Sequence, residues 1–198
     1  MGPMKTLVLV VAALLGASAI SAQAPLIQNN RVTVWDVAPG APVPATSRDV
    51  VTFVIPGNAA IAQATAVYRA KGAAAQPLPA GARAIVIELQ DATVAPLANA
   101  TGYPLAFPRP GSKKVLENDR VVVWSFTWTP GVATPMHFHD KDVVVTYLAD
   151  GALTSTDPRG KAVVNEHHFA YTKFNARDRV HTETLTRGQA SALMVELK

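Results

Sequence analysis

One pattern of segments occurs twice in this 198-residue chain, in the same order each time. Asn30-Arg31-Val32-Thr33-Val34-Trp35 returns as Asp119-Arg120-Val121-Val122-Val123-Trp124, and Pro39-Gly40 returns as Pro130-Gly131. Asp49-Val50-Val51 then matches Asp142-Val143-Val144, and Ala84-Ile85-Val86-Ile87-Glu88-Leu89 matches Ala192-Leu193-Met194-Val195-Glu196-Leu197. Four ordered matches with similar gaps are the signature of a tandem duplication, here of a unit of roughly 75 to 90 residues. The matched runs are Val-, Ile- and Trp-rich, and 15 prolines punctuate the chain, so the unit reads as all-β with few or no helices. The expected layout is one unit over 23–92, a Pro/Gly-rich connector over 93–112 whose Tyr103 and Phe107 dock on a barrel, and a second unit over 113–198. Asn58 to Lys71 is Ala-rich and, by local propensity alone, helical. The repeat pairs its Tyr68 with Phe174, which predicts a strand instead.

Lys5 precedes an apolar run that reaches about Ile20, and small residues follow at Ser21 and Ala22. This is the order of a signal peptide, with cleavage expected after Ala22 and the protein periplasmic or secreted. A retained membrane anchor is the competing reading; no other segment is apolar for long enough to span a bilayer. The formal net charge is +4, and no basic run exceeds Lys113-Lys114. That is a solvated surface rather than a nucleic-acid face. With no cysteine, neither disulfides nor thiol chemistry enters the account, and stability rests on core burial.

His137 and His139 stand two apart, so on a strand both rings point to one face. Neutral imidazoles side by side in an apolar interior can share a metal ion, whereas protonated ones would repel each other and suffer desolvation. His181, near the end of the same unit, is placed where a barrel can return it to that pair. His167 and His168 are adjacent in sequence and therefore point to opposite faces.

These residues carry a resemblance to the cupin superfamily. Gly131-Val132-Ala133-Thr134-Pro135-Met136-His137-Phe138-His139 is similar to the first cupin motif, closed by Gly151. Phe174 to His181 is similar to the second motif, with Ala176 and Asp178 in place of its proline and glycine. The resemblance implies tandem jelly-roll barrels (double-stranded β-helices), with the metal inside the C-terminal one, held by His137, His139 and His181. Cupins usually add a glutamate seven residues before the closing glycine; here that position is Val144, which this register points inward. Asp142 is nearby, as a fourth ligand or as a turn or outer carboxylate. Glu183, two residues past His181, is a candidate to orient a ligand or move a proton. Three neutral ligands favour iron, zinc, nickel or copper over manganese as the one divalent transition metal. In the first unit Thr46, Arg48 and Ala75 take the places of the three histidines, leaving it structural, dimerising in a homodimer, or a cavity without metal.

The implied function is a metal-dependent enzyme on a small molecule, with dioxygenase-like chemistry among the options. The alternative is a non-catalytic cupin that acts as a small-molecule binder, a sensor or a structural protein. The substrate is not legible, because a fold hosts many chemistries.

Overall fold

The computed structural model describes residues 23–57 and 64–198. The expected leader over 1–22 and the first part of the Ala-rich segment, 58–63, lie outside the described residues. The described residues form 14 β-strands and no helix. The first half holds β1 (Ile27–Gln28), β2 (Val32–Val37), β3 (Val50–Ile55), β4 (Thr65–Arg69) and β5 (Arg83–Leu89). The second holds β6 (Lys113–Glu117), β7 (Val121–Thr127), β8 (His137–His139), β9 (Val143–Tyr147), β10 (Gly151–Thr156), β11 (Ala162–His167), β12 (Thr172–Asn175), β13 (Arg179–Gly188) and β14 (Ser191–Leu197). Tyr68 lies on strand β4, so the described part of the ambiguous segment is strand where propensity favoured helix. Burial of alternate side chains against a sheet outweighs the few tenths of a kcal/mol per residue that separate such preferences.

Three sheets result. The N-terminal sheet has the order β1-β2-β5-β3-β4, the middle sheet β12-β9-β14-β7-β6, and the site sheet β11-β10-β13-β8. The first two are the same arrangement of equivalent strands. Trp35 stands opposite Val86 as Trp124 stands opposite Met194, and Val50 faces Glu88 as Val143 faces Glu196. Val51 pairs with Tyr68 as Val144 pairs with Phe174.

The central strands of the middle sheet are covered on both faces, which is why β9 and β14 are buried at every residue instead of at alternate ones. One face packs against the N-terminal sheet: Val121, Val123, Val144, Leu193, Val195 and Leu197 meet Val32, Val34, Val51, Phe53, Ile85 and Ile87. The other face lines a barrel interior, where Val122, Trp124, Val143, Val145, Tyr147 and Met194 join Leu153 and Leu185 of the site sheet. A strand wet on one face alternates in polarity; Val143-Val144-Val145 does not because it has no wet face.

The first half departs from the expected pair of complete barrels. Among its described residues there is one sheet, and its outer face carries a small cluster of Val37, Val50, Ala84 and Val86, covered by Ala41 and Leu78 from loops. The segments that would supply a second wall, 38–48 and 70–82, lie outside the strands. They contain Pro39, Pro42 and Pro44, and Ala73-Ala74-Ala75-Gln76-Pro77-Leu78-Pro79. Proline cannot donate to a ladder and alanine packs poorly on a pleated surface, so these stretches cover the sheet without extending it. Thr46, Arg48 and Ala75 therefore occupy loops, and no histidine-equivalent strand pair forms around them.

The connector is ordered against the second barrel. Ala106 N donates to Phe138 O and Phe138 N donates to Pro104 O, both at 2.8 Å, so residues 104–106 run beside β8. Phe107 stacks on Trp124 with ring centroids 5.3 Å apart. This docking brings Arg109 to the barrel wall.

Candidate metal centre

Strands β8 and β13 pair antiparallel with His137 opposite His181 and His139 opposite Arg179. Directly opposed residues share a face, and every second residue along a strand returns to it. His137, His139, Arg179, His181 and Glu183 therefore all project into the barrel. The three ring centroids lie 4.8 to 5.0 Å apart, and one ring nitrogen from each falls within 4.8 Å of the other two. His139 Nε2 and His181 Nε2 are 3.2 Å apart. That is about the separation of two donors placed 2.0–2.1 Å from one shared ion.

His137 is fully buried, and its Nδ1 donates to Pro135 O at 2.7 Å. That bond leaves Nε2 unprotonated and facing the other rings. Burial holds all three imidazoles below their usual pKa. Arg109 is the next influence on His137, and Arg179 on His139. His181 is pushed down to about 4 by burial, although Glu183 opposes the shift. All three rings are thus neutral at physiological pH, the state that binds metal. Neutral donors of one type converging on one point, with one tautomer fixed by a backbone carbonyl, fit a borderline divalent ion such as zinc or iron.

Glu183 belongs to the same cluster. Its Oε1 is 3.9 Å from His181 Nε2, and its Oε2 accepts a hydrogen bond from Trp128 Nε1 at 3.2 Å. Burial would raise this carboxyl, but the surrounding His181, Arg109, His137 and Lys173 carry it below the ordinary carboxylate range. It is an anion at neutral pH. Arg109, which sequence reasoning did not single out, sits behind it. Its Nη1 donates to His137 Nε2 at 3.2 Å, its Nη2 is 3.6 Å from Glu183 Oε2, and its guanidinium lies 4.0 Å over the Phe126 ring. Nothing local marks this residue, since it reaches the site only because the connector docks. Arg179 could have been found, because Arg179, His181 and Glu183 keep the period of two along β13.

One open alternative is decided and one expectation is corrected. Asp142 is not among the grouped donors, which leaves it as a carboxylate outside the cluster. Its carboxylate is engaged on the opposite face of β9, 3.3 Å from Arg31 Nε and accepting from Arg177 N at 2.9 Å. Val144 likewise faces away, into the core between the first two sheets, while Val143 and Val145 line the cavity. Counting back from Gly151 misses by one residue, and a slip of one exchanges the two faces of a strand. His167 packs outside the cluster, stacked on Tyr147 at 4.2 Å with Nε2 at Gln189 O, while His168 leans on Tyr171. The cavity beside the histidines measures about 410 Å³ and has Lys173, Asn175 and Arg179 in its lining. That volume lies within the range of about 300–1,000 Å³ usual for small-molecule sites.

No family model matches the chain, and no curated protein matches it in sequence. Solved structures do. A cupin 2 conserved barrel domain protein from Leptotrichia buccalis aligns over 88% of this chain and 87% of its own, with 11% identity and a TM-score of 0.50. A cupin domain from Bordetella pertussis, aligned over 99% of its length and 47% of this chain, is 24% identical with a TM-score of 0.41. With the strand order, the closed second barrel and the alignment over nearly the whole of both chains, this chain has the fold of the cupin superfamily.

Proposed function

We propose that this protein is an exported metal-dependent enzyme that acts on a small molecule in its C-terminal barrel, the two halves being copies of one ancestral unit. The observation that carries the reading is the convergence of His137, His139 and His181 with the Glu183 carboxylate beside them in one cavity. The three imidazoles would hold one divalent ion of iron, zinc, nickel or copper, which when bound supplies Lewis acidity or a redox couple to a molecule in the cavity. Glu183, ionised and within reach of His181, takes a proton from a bound molecule or holds one for return. Trp128 and Arg109 orient that carboxylate from behind, and the apolar wall of Val143, Val145 and Met194 limits water around it. The shared strand order and register of the first two sheets support the duplication. The apolar run before Ala22 supports export.

The test is metal analysis of untagged protein purified without added metal. One ion per chain, lost on treatment with chelator, is the expected result. Absence of metal from protein that also fails to take up zinc or iron on titration sinks the proposal.

A second reading draws on Arg109, whose Nη1 occupies the hydrogen-bonding position at His137 Nε2. In a non-catalytic cupin this guanidinium would stand in for an ion and leave a polar binding cavity. Arg109→Met separates the two. Under the metal reading it removes a neighbouring cation and tightens metal binding; under the second it leaves a protein that still binds none.

A further inference from the structure

The cavity beside the histidines is built mainly of cations. Arg109, Lys161, Lys173 and Arg179 line it, against only Glu183 and Asp157. Of these two anions, Glu183 is already engaged by Arg109 and Trp128. Asp157 caps its own turn by accepting from Arg159 N and Lys161 N at 2.9 Å. Lys173 stands opposite Val145, a cavity-lining residue of β9, and Arg179 stands opposite His139. Both side chains are half-buried, and neither forms an ion pair with a described carboxylate. Arg179 spends its Nε on Ala176 O, and no hydrogen bond joins its terminal nitrogens to another described residue. Withdrawing cations from water without a partner is costly.

From this placement we infer that the cavity binds a small organic carboxylate, its anionic end held by Lys173 and Arg179 and its remainder directed toward His139, His181 and Glu183. Arginine presents a planar fork that matches a carboxylate, and lysine adds a point charge beside it. A neutral molecule would leave both cations uncompensated, and a dianion would be pressed against Glu183 in the same cavity. One negative charge fits best. The inference rests on the reading of this cavity as a small-molecule site.

The experiment is calorimetric titration of purified protein with lactate and benzoate, with lactamide and benzamide as neutral counterparts, and with inorganic phosphate. The acids are expected to bind saturably and at least about tenfold more tightly than the amides or phosphate, a difference of about 1.4 kcal/mol. Lys173→Met and Arg179→Gln should each weaken acid binding by about tenfold or more while metal content stays at the wild-type value. Because Lys173→Met also removes an uncompensated cation, the ligand-free variant should melt no lower than wild type. Equal binding of acids and amides, tighter binding of phosphate, unchanged affinity in both variants, or no saturable binding of either acid overturns the inference. If the protein holds no metal but the acids behave as expected, the metal reading fails and this one stands. Metal without a preference for acids sinks this one alone.

Discussion

Arg31 Nε lies 3.3 Å from the carboxylate of Asp142, joining the first half of the chain to the strand end that leads into the second half's cavity. The relationship is reciprocal: Arg120, the repeat counterpart of Arg31, donates to Asp49, the counterpart of Asp142, at 2.8 Å. Each unit's arginine answers the other unit's aspartate across the packed sheets. Arg31 also donates to Ala92 O, and Arg120 to Gln90 O. Asp142 is therefore a fastening between halves, and its place just before β9, turned toward Arg31, keeps it from the histidines.

Removing one member of this buried pair leaves the other uncompensated. Asp142→Asn or Arg31→Met should cost on the order of 3–5 kcal/mol, while the double change Arg31→Met with Asp142→Leu should recover much of the loss. Denaturant melts provide the cycle. Metal stoichiometry should survive all three variants as long as they are folded; loss of metal from a folded Asp142→Asn protein would restore Asp142 as a ligand.

His137→Ala and His181→Ala should each lower metal affinity by more than the roughly 10–100-fold typical of groups that only support a ligand. His167→Ala, which removes a ring stacked on Tyr147, should lower stability and spare stoichiometric metal. Competition titrations against a chromogenic chelator read the difference. An equal loss of metal from all three would mean that unfolding, not ligation, was measured.

The metal-free protein should weaken as the solution is acidified through the histidine range. His181 has an ordinary pKa of 6.5 and is held near 4 in the folded chain, so between these values the unfolded state binds more protons. Its contribution is fully present above about 6.5 and is lost as pH falls toward 4, a change on the order of 3 kcal/mol. His137 and His139 shift in the same direction and steepen the slope. Chemical melts between pH 7 and pH 4 should show this fall, with a shallower one for His181→Gln. A flat profile in the metal-free wild type contradicts the burial argument.

Neighbouring substitutions in β9 test the phase of that strand. Val143→Glu places a carboxylate on the cavity wall, where a bound cation would neutralise it, so it should tighten metal binding and tolerate folding in metal. Val144→Glu drives the same group into the core shared with Val195 and Phe53, and should destabilise the protein by several kcal/mol with or without metal. Thermal melts of the metal-free and loaded forms distinguish them. Rescue of Val144→Glu by metal would put Val144 back at the site.

The histidine cluster was legible because its signal is local. His-x-His fixes two rings on one face whatever the rest of the chain does, and the second motif returns His181 to them. Val144 was misread because phase depends on where the turn before Gly151 takes up a residue. That turn is set by tertiary contacts: a side chain on Gly151 would meet the backbone oxygens of Gln189 and Arg187 at 2.4 and 2.7 Å. Arg109 was illegible for a different reason, since it belongs to a connector whose path is decided by docking on β8. The repeat located the strands of the first half correctly, but a matched order of strands does not reveal whether an opposite wall exists. The proline and alanine content of 38–48 and 70–82 was the available clue.

Because the central strands of the middle sheet have no wet face, the histidine-bearing barrel cannot be cut out as a module. A chain reduced to residues 93–198 would present Val121, Val123, Val144, Leu193, Val195 and Leu197 to water as one apolar surface. The N-terminal half thus serves the second half by the surface it covers. Selection on such a pair acts on the seam, so drift in the first half should spare Phe53 and Ile87 while its outer loops vary.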